Sequence, residues 1–487
     1  MTVQRGEQKR RREITRRRFL QAALAVGGTA ALDTKLFGSS AWAGPPLGPT
    51  DRILVLIELA GGNDGLNTVV PVADPAYASL RGALAIPAAS TLNVGEGLGL
   101  HPSLTYLKSR FDAGDVAIVR GVGHGDKDLS HFSCMAKVMA GTTSGVATTG
   151  LFGRWLDGMG LDGFGGVNIG DSDVPLILDG QQAEVTGLPT YGGLFGSATP
   201  SWETVAFDAL SGLGNDALGL GAWGDVVADT YQAAIQRARD VNRIYSPNIS
   251  GNRLARDLTL AARLINLDLG ARIITVLQGG YDTHSDQLDD HARFLTNLDA
   301  GISTFFQNLA PQFHNRVVVM TYSEFGRRVR ANDSAGTDHG TASVMFLVGN
   351  HARRGLHGSQ PSLSQLDSRG DLNIAVDVRS VFASVLNTWF GADDAQVLGA
   401  NWPKLDLFDP YSGAGYPDPT LPTVAYQSLA PLRILDTRSG IGPGRVVRLG
   451  PGETIDLAVA GQANVPATGA GAVIANVTVT GCDAPTG

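Results

Sequence analysis

An almost uninterrupted apolar run, Ile53–Leu59, constrains the fold of this 487-residue chain more than any other feature. A run of this kind is typical of a strand that is buried on both faces, as in a parallel sheet. Similar runs recur further along the chain, at residues 116–119, 273–277, 317–321 and 344–348. Because helical patterns separate the runs, the sequence predicts an α/β fold with a mostly parallel central sheet covered by helices on both sides.

One of the intervening helices can be identified from its spacing. Its apolar residues recur at the intervals of a single helix face, at Leu254, Leu258, Ala261, Ala262 and Ile265. By contrast, residues 160–245 are rich in glycine and less periodic, and we interpret them as an insertion over the sheet. Functional side chains in such folds are expected where strands end and loops begin.

Residues 1–43 have the composition of an export signal. The stretch Thr15–Gln21 (TRRRFLQ) closely matches the twin-arginine pattern, a weakly apolar run follows to Leu32, and Ala41-Trp42-Ala43 fits a cleavage site. The apolar run would span only about 21 Å as a helix, too short for a bilayer core of about 30 Å. We therefore expect a twin-arginine signal peptide that engages the twin-arginine translocation machinery. The mature chain is expected to have no transmembrane segment and to be secreted or held at the cell surface or in the periplasm.

The charge of the chain excludes one class of partner. Its net charge is −8, and since residues 1–43 carry +6, the remainder carries −14. A protein with this much negative charge repels the phosphate backbone of nucleic acids, so nucleic acid is not expected as a partner. The same charge is compatible with the binding of cations. Cys134 and Cys482 lie too far apart in the sequence to indicate a disulfide framework, and Cys134 is expected to be a buried apolar side chain.

The composition changes near residue 406. Residues 406–428 contain several prolines and are predicted to be a linker. Beyond it, apolar and polar residues alternate around 454–459 and 473–480, which is typical of strands. Residues 429–487 are therefore expected to form a small, incomplete, β-rich C-terminal module.

Two glycine-containing motifs follow predicted strands and supply possible metal ligands. The first, residues 60–67 (AGGNDGLN), places Asp64 after the first strand, although Asn-Asp-Gly is also ordinary turn chemistry. The second, residues 279–286 (GGYDTHSD), contains Asp282 and His284, which share one side of an extended chain. A carboxylate with an imidazole suits Zn²⁺, Mn²⁺ or iron. Asp286 and His291 are additional candidates.

A third motif contains a potential nucleophile. Ser130 and His131 lie between the strand at 116–119 and a helical stretch. A hydroxyl at a helix N-terminus can be activated by a metal ion or by the adjacent imidazole. The alternative, which an isolated Ser-His pair favours, is an N-capping serine beside a structural histidine.

The fourth motif, residues 336–340 (GTDHG), is the most specific. Adjacent side chains diverge in an extended strand, so Asp338 and His339 can bind one ion only if the flanking glycines allow a tight turn. The alternative is the start of a capped helix with surface polar residues.

The motifs together resemble one family. They are similar to the exported bacterial proteins of the DUF1501 family of the alkaline phosphatase-like superfamily, over residues 50–405. The similar segments occur in the expected order: ELAGGNDGLNTVVP from Glu58, LHP from Leu100, SHF from Ser130, GLFGRWL from Gly150, GGYDTH from Gly279, SEFGR from Ser323 and GTDHG from Gly336. The C-terminal segments RILDTR and NVTVT resemble modules of actinobacterial exported proteins.

This resemblance implies a three-layer α/β sandwich and a metal-dependent chemistry. By position, Asp64, Asp338 and His339 resemble the ligands of one divalent ion and Asp282 and His284 those of a second, with zinc, manganese, iron or calcium possible. Ser130 resembles the nucleophile, with His131 assisting. The second set departs from the superfamily, which spaces its Asp and His four residues apart rather than two.

Two functions remain in competition on the sequence alone. The first is an exported hydrolase of phosphate or sulfate esters that binds a small anionic substrate. The second is a non-catalytic protein of the cell envelope that retains the fold and is attached through its C-terminal module. The incomplete second set of ligands favours the second function. The fold alone does not decide between the two, because a fold does not determine an activity.

Overall fold

The computed structural model describes residues 47–48, 51–125, 128–142, 148–161, 163–170, 173–183, 185–191, 241–245 and 249–409. The chain divides into two compact units, Met1–Tyr416 and Pro417–Gly487. The predicted signal peptide, most of the linker, the C-terminal module and Cys482 lie outside the described residues and stay predictions.

The described strands are numbered along the chain. They are β1 (Ile53–Leu59), β2 (Val69–Val70), β3 (Leu92–Gly95), β4 (Leu98–Leu100), β5 (Val116–Gly123), β6 (Gly166–Ile169), β7 (Thr186–Leu188), β8 (Ile273–Gln278), β9 (Val317–Tyr322), β10 (Ser343–Val348), β11 (Gly355–His357) and β12 (Val376–Asp377).

The described α-helices are numbered in the same way. They are α1 (Gly65–Thr68), α2 (Pro75–Arg81), α3 (Thr105–Ala113), α4 (His131–Ala140), α5 (Leu151–Met159), α6 (Arg253–Asn266), α7 (Gln287–Asn308), α8 (Val378–Ser384) and α9 (Asp394–Leu398). A π-helical segment, Val385–Trp389, continues α8.

A nine-stranded sheet forms the centre of the first unit. Its order is β11-β5-β10-β9-β1-β8-β6-β7, with β12 also pairing with β5, while β2, β4 and β3 form a separate small sheet. All five apolar runs identified in the sequence are strands of the large sheet. Among its described strands, β10 alone runs antiparallel to its neighbours. The expected α/β fold with a mostly parallel sheet is confirmed.

The sheet is covered on both faces, which gives three layers. Alternate residues of β1 pack into different cores: Val55 and Ile57 face α3, α6 and α7, whereas Leu54 and Leu56 face α5 and α8. The apolar face predicted for residues 254–265 is buried in α6. Cys134 is a buried free cysteine, as predicted.

The expectation of an insertion at residues 160–245 is wrong for its described strands. Residues 166–169 and 186–188 form β6 and β7, which extend the sheet beyond β8. Both segments are short and contain glycine, so they lack the long apolar run by which a central strand is identified. The same region includes residues 192–240, which lie outside the described part of the chain.

Candidate metal centre

Strand direction brings the sequence motifs to one edge of the sheet. Because β1, β8 and β9 are parallel, the segments that follow them all begin at the same edge. The antiparallel strand β10 starts at that edge, so the GTDHG segment that precedes it lies there as well. His131 is the first residue of α4, in the segment that follows β5.

Glycines allow these segments to approach one another closely. Gly61 has a φ of +117°, and a Cβ there would lie 2.3 Å from the backbone nitrogen of Asp282. A Cβ on Gly340 would lie 2.5 Å from the carbonyl carbon of Arg327. Side chains at these two positions would therefore force the motifs apart.

Four side chains converge where the segments meet, and we call them the His/Asp cluster: His131, Asp282, His284 and His339. The Oδ1 atom of Asp282 lies 3.3 Å from Nε2 of His131, 3.0 Å from Nε2 of His284 and 3.2 Å from Nε2 of His339. The Nε2 atoms of His284 and His339 are 3.0 Å apart. His131, Asp282 and His339 together meet the distance requirement for holding one metal ion.

The opposite ring nitrogen of each histidine faces an acceptor. Nδ1 of His131 lies 2.6 Å from Oε1 of Glu324, and Nδ1 of His284 lies 3.2 Å from Oδ1 of Asp338. Nδ1 of His339 lies 2.9 Å from the carbonyl oxygen of Leu129. A carbonyl or carboxylate oxygen can only accept, and a neutral ring carries one proton, so if a cation lies between the Nε2 atoms, each ring has its proton on Nδ1.

With the protons on Nδ1, three Nε2 lone pairs face the Oδ1 atom of Asp282. Burial, with Arg327 and His131, lowers the pKa of His339, which favours its neutral form. Nε2 of His131 is buried and has no hydrogen-bond partner among the described residues. Lone pairs so close together repel one another unless a cation lies between them, so the cluster fits a metal ion.

The spacing of the cluster also fits an ion of the zinc type. A tetrahedral ion with bonds of about 2.0–2.1 Å holds its ligands roughly 3.3 Å apart. The three separations from Oδ1 of Asp282 and the one between His284 and His339, which are 3.0–3.3 Å, are close to that value, and His131, Asp282 and His339 form the group that meets the distance requirement. The hydrogen bonds at Nδ1 are the kind that orient metal-bound histidines in known sites.

Glu324 is a buried carboxylate that contacts His131 of the cluster and the backbone after β1. Its side chain is 2% exposed, and its Oε1 atom also accepts a hydrogen bond from the backbone nitrogen of Gly61 at 2.9 Å. Oε2 accepts from the hydroxyl of Ser323 at 2.9 Å.

A second buried carboxyl group, Glu58, accepts a hydrogen bond from Tyr322. Burial, together with the charge of Glu324, raises the pKa of Glu58 to about 7.

Asp282 is held in its charged form. Burial alone would raise the pKa of Asp282, but the hydrogen bond and charge of Arg327, with contributions from His131 and His339, lower it to about 2. The carboxylate therefore stays available as a ligand throughout the physiological pH range.

Asp64 occupies a different environment from the one the resemblance implies. The group of described residues that could hold one metal ion does not include Asp64. The carboxylate of Asp64 is 1% exposed and forms a two-point ion pair with Arg81, at 2.6 and 2.7 Å. It also caps α1 through the backbone nitrogens of Leu66 and Asn67 and accepts from Gln287. Burial opposes its ionisation, but Arg81 and His291 lower its pKa overall.

The other predicted residues lie around the cluster. Asp338 is 55% exposed and contacts His284 and Asn332, on the outer side of the ligands. Ser130 is half-buried and occupies the N-cap position of α4, but its side chain makes no capping hydrogen bond within the described part of the chain. The additional candidate His291 is buried away from the ligands, bound to Asn63, and Asp286 precedes α7.

The structure thus brings together Asp282, His284 and His339, which were predicted as ligands, with His131, which was predicted as a catalytic residue. Sequence reasoning missed Glu324 and Arg327. Both belong to the SEFGR segment, and a pair of charged residues immediately after a buried strand was the available signal.

A family model described as "Protein of unknown function (DUF1501)" matches residues 228–400. The resemblance predicted from the motifs is therefore confirmed over that range, which includes β8, β9, β10 and three of the four cluster residues. No curated protein is significantly similar to this chain in sequence.

Several solved structures are similar at low identity. A protein of the alkaline phosphatase superfamily from Vibrio parahaemolyticus is 9% identical, with a TM-score of 0.37, over 75% of this chain and 76% of that one. The lipoteichoic acid synthase LtaP from Listeria monocytogenes is 8% identical, with a TM-score of 0.34, over 74% and 76%. The alkaline phosphatase from the Antarctic bacterium TAB5 is 9% identical, with a TM-score of 0.30, over 62% and 91%. Values this low assign no role to any residue.

Replacing Asp64 separates a structural role from a ligand role. We expect Asp64→Asn to lower the free energy of unfolding by about 3–5 kcal/mol, because the Arg81 cation is left buried without its counter-charge. The metal content of the folded protein should not change. Denaturant unfolding and elemental analysis measure the two quantities.

The matched control is Asp112→Asn, which removes an exposed ion pair with Lys108 and should cost less than about 1 kcal/mol. Loss of bound metal in the Asp64→Asn variant without loss of stability would instead make Asp64 a ligand.

The raised pKa of Glu58 predicts a pH-dependent stability. From the ordinary value of 4.5 up to about 7, the folded chain retains a proton that the unfolded chain releases, so this group's contribution to stability falls as the pH rises through that window. Glutamine cannot ionise, so Glu58→Gln does not lose this contribution. The melting temperature of the variant minus that of the unmodified protein should therefore increase as the pH is raised from about 5 to about 8. A difference that stays constant over this range contradicts the assignment.

Proposed function

We propose that this chain is a metal-dependent hydrolase of phosphate or sulfate esters, with the His/Asp cluster as its metal centre. The observation that supports this function is the convergence of three imidazole Nε2 atoms on one carboxylate oxygen, with all three rings oriented by acceptors at Nδ1. Sites with convergent ligands and perturbed titration are often functional.

The donor set favours one kind of ion among those that the sequence left open. Imidazole nitrogens together with a carboxylate oxygen suit zinc or a similar transition-metal ion better than calcium, which prefers oxygen ligands. When bound, such an ion would stabilise negative charge on the oxygens of an ester substrate. His131, Asp282 and His339 would hold it, and His284 lies beside them at Oδ1 of Asp282.

Ser130 is the proposed nucleophile. It immediately precedes the ligand His131, and its hydroxyl is not used to cap α4 among the described residues. The N-terminus of α4 carries partial positive charge, which stabilises an anion formed on that side chain. Glu324 contacts Nδ1 of His131, the residue that follows Ser130, at 2.6 Å and so orients its ring.

One observation favours the non-catalytic alternative. The resemblance implied two ions, but Asp64 is committed to Arg81, and the described residues provide one group of convergent ligands. A single ion could stabilise the fold of an envelope protein without supporting turnover.

Metal content and activity distinguish the two functions. We expect about one zinc ion per chain and hydrolysis of an aryl phosphate or an aryl sulfate. The variant Ser130→Ala should keep the metal and lose at least about a thousandfold in kcat, because the nucleophile is missing. The variant His339→Ala should lose both the metal and the activity.

The control for histidine removal is His314→Ala, whose ring contacts the carbonyl oxygen of Leu309 outside the cluster. Bound zinc without turnover on either ester supports the non-catalytic envelope protein. A chain that binds no transition-metal ion contradicts both the proposed centre and the hydrolase.

Export by the twin-arginine pathway is part of the proposal and rests on residues 15–21. Among the described residues, no helix is both long enough and apolar enough to cross a membrane. A small anionic substrate and contact with the cell envelope are the proposed partners.

We expect the double substitution Arg16→Lys and Arg17→Lys to leave the uncleaved precursor in the cytoplasm of a host that has the twin-arginine pathway. Cell fractionation and immunoblotting measure the distribution. Unchanged export of this variant contradicts the proposed route.

A further inference from the structure

The side chain of Arg327 is completely buried and contacts Asp282 of the His/Asp cluster. Its relative exposure is 0%, although it carries a full positive charge. The guanidinium group donates hydrogen bonds to four backbone carbonyl oxygens and one carboxylate, those of Gly61, Gly62, Tyr281, Thr337 and Asp282. Burying a cation is costly unless it is both paired and hydrogen-bonded, and this environment provides both.

These acceptors belong to different segments of the site. Gly61 and Gly62 follow β1, Tyr281 and Asp282 follow β8, and Thr337 precedes β10. Arg327 itself follows β9, and its backbone forms an isolated β-bridge with His339. One planar group with donors in several directions thus holds four chain segments together.

The carboxylate contact has a particular significance. Among the described residues, Asp282 is the one carboxylate within ion-pair distance of Arg327, at 2.6 Å through Oδ1. The same oxygen lies 3.0–3.3 Å from the three Nε2 atoms of the cluster. The counter-charge of the buried cation is therefore also the proposed metal ligand.

We propose that Arg327 is the positioning residue of the metal centre: its guanidinium fixes Oδ1 of Asp282 and, through Thr337, the turn that carries His339, before an ion binds. This inference rests on the proposed metal centre. Arg327 acts on the ion through Asp282 and His339 and is not a substrate-binding group, because its buried side chain faces carbonyl oxygens rather than the exposed side of the cluster.

The role requires the shape of the side chain as well as its charge. A lysine ammonium keeps the positive charge but is a compact group on a flexible stem. It cannot reach carbonyl oxygens of three other segments and the carboxylate with the same fixed geometry. Arg327→Lys therefore preserves the charge and removes the positioning.

The first test measures metal binding. We expect Arg327→Lys to weaken zinc binding by about 10- to 100-fold, as substitutions behind metal ligands typically do. The absorption spectrum of the cobalt-substituted protein should also change, because the ligand geometry is relaxed. Competition with a chelator gives the dissociation constant, and circular dichroism checks that the fold is retained.

The matched control is Arg272→Lys. Arg272 is also buried, donates to the carbonyl oxygen of Arg52 and pairs with Asp51, but lies at the start of β8 rather than at its end. We expect this variant to lose stability while its zinc affinity stays within about twofold of the unmodified protein, since it touches no proposed ligand. Equal zinc affinities and cobalt spectra for both lysine variants would overturn the proposal.

A second test covers the case in which Arg327→Lys does not fold. In the metal-free protein, Asp282→Asn removes the counter-charge of Arg327, whereas Asp338→Asn removes a carboxylate that contacts His284 only from outside. We expect a clearly lower melting temperature for Asp282→Asn than for Asp338→Asn. Equal melting temperatures would overturn the proposed dependence of Arg327 on Asp282.

The two tests also separate this inference from the proposed function. If the unmodified protein binds zinc but does not hydrolyse esters, the hydrolase fails and the role of Arg327 is still decided by the affinities. If the unmodified protein binds no transition-metal ion, both the metal centre and the positioning role of Arg327 are wrong. This holds whatever melting temperatures are measured for Asp282→Asn and Asp338→Asn.

Discussion

The direction of the central strands is the constraint on which the rest of the molecule depends. Parallel pairing of β1 with β8 and β9 places three strand ends at one edge, and the reversed strand β10 starts there as well. Loops far apart in the sequence are thereby forced into contact, and the glycines at positions 61 and 340 let them meet at backbone distance. The His/Asp cluster is the chemical outcome of that geometry.

Electrostatics then divides the polar residues of this edge into two groups. The buried cations Arg81 and Arg327 each require a carboxylate, and they obtain Asp64 and Asp282 respectively. Asp64 is enclosed with its partner, so its charge serves the fold. Asp282 remains 46% exposed, so in the proposed centre its charge would serve both the fold and a bound ion. The exposure of the carboxylate, rather than its residue type, decides which function it can have.

The sequence was sufficient for the five long strands of the sheet and for part of the site. Long apolar runs such as Ile53–Leu59 identify buried strands because burial on both faces leaves no polar alternation, whereas the short strand Gly166–Ile169 has no such signature. Asp282, His284 and His339 were found because glycines flank them. The partner of Asp64 could not be predicted, since Arg81 lies 17 residues away on another helix and ion pairing depends on packing. The same limit applies to the contact between His131 and Glu324.

The cluster also links ion binding to the completion of folding. His131 and Glu324 are separated by 193 residues, and their contact exists only after β5, α4 and β9 have been assembled. An unfolded chain cannot present the residues of the His/Asp cluster together, so an ion bound there would select the native state and stabilise it, by about 1.4 kcal/mol when its concentration is ten times the dissociation constant. In the proposed centre such an ion would therefore bind late in folding, and it would then oppose the unfolding of segments that are far apart in the sequence.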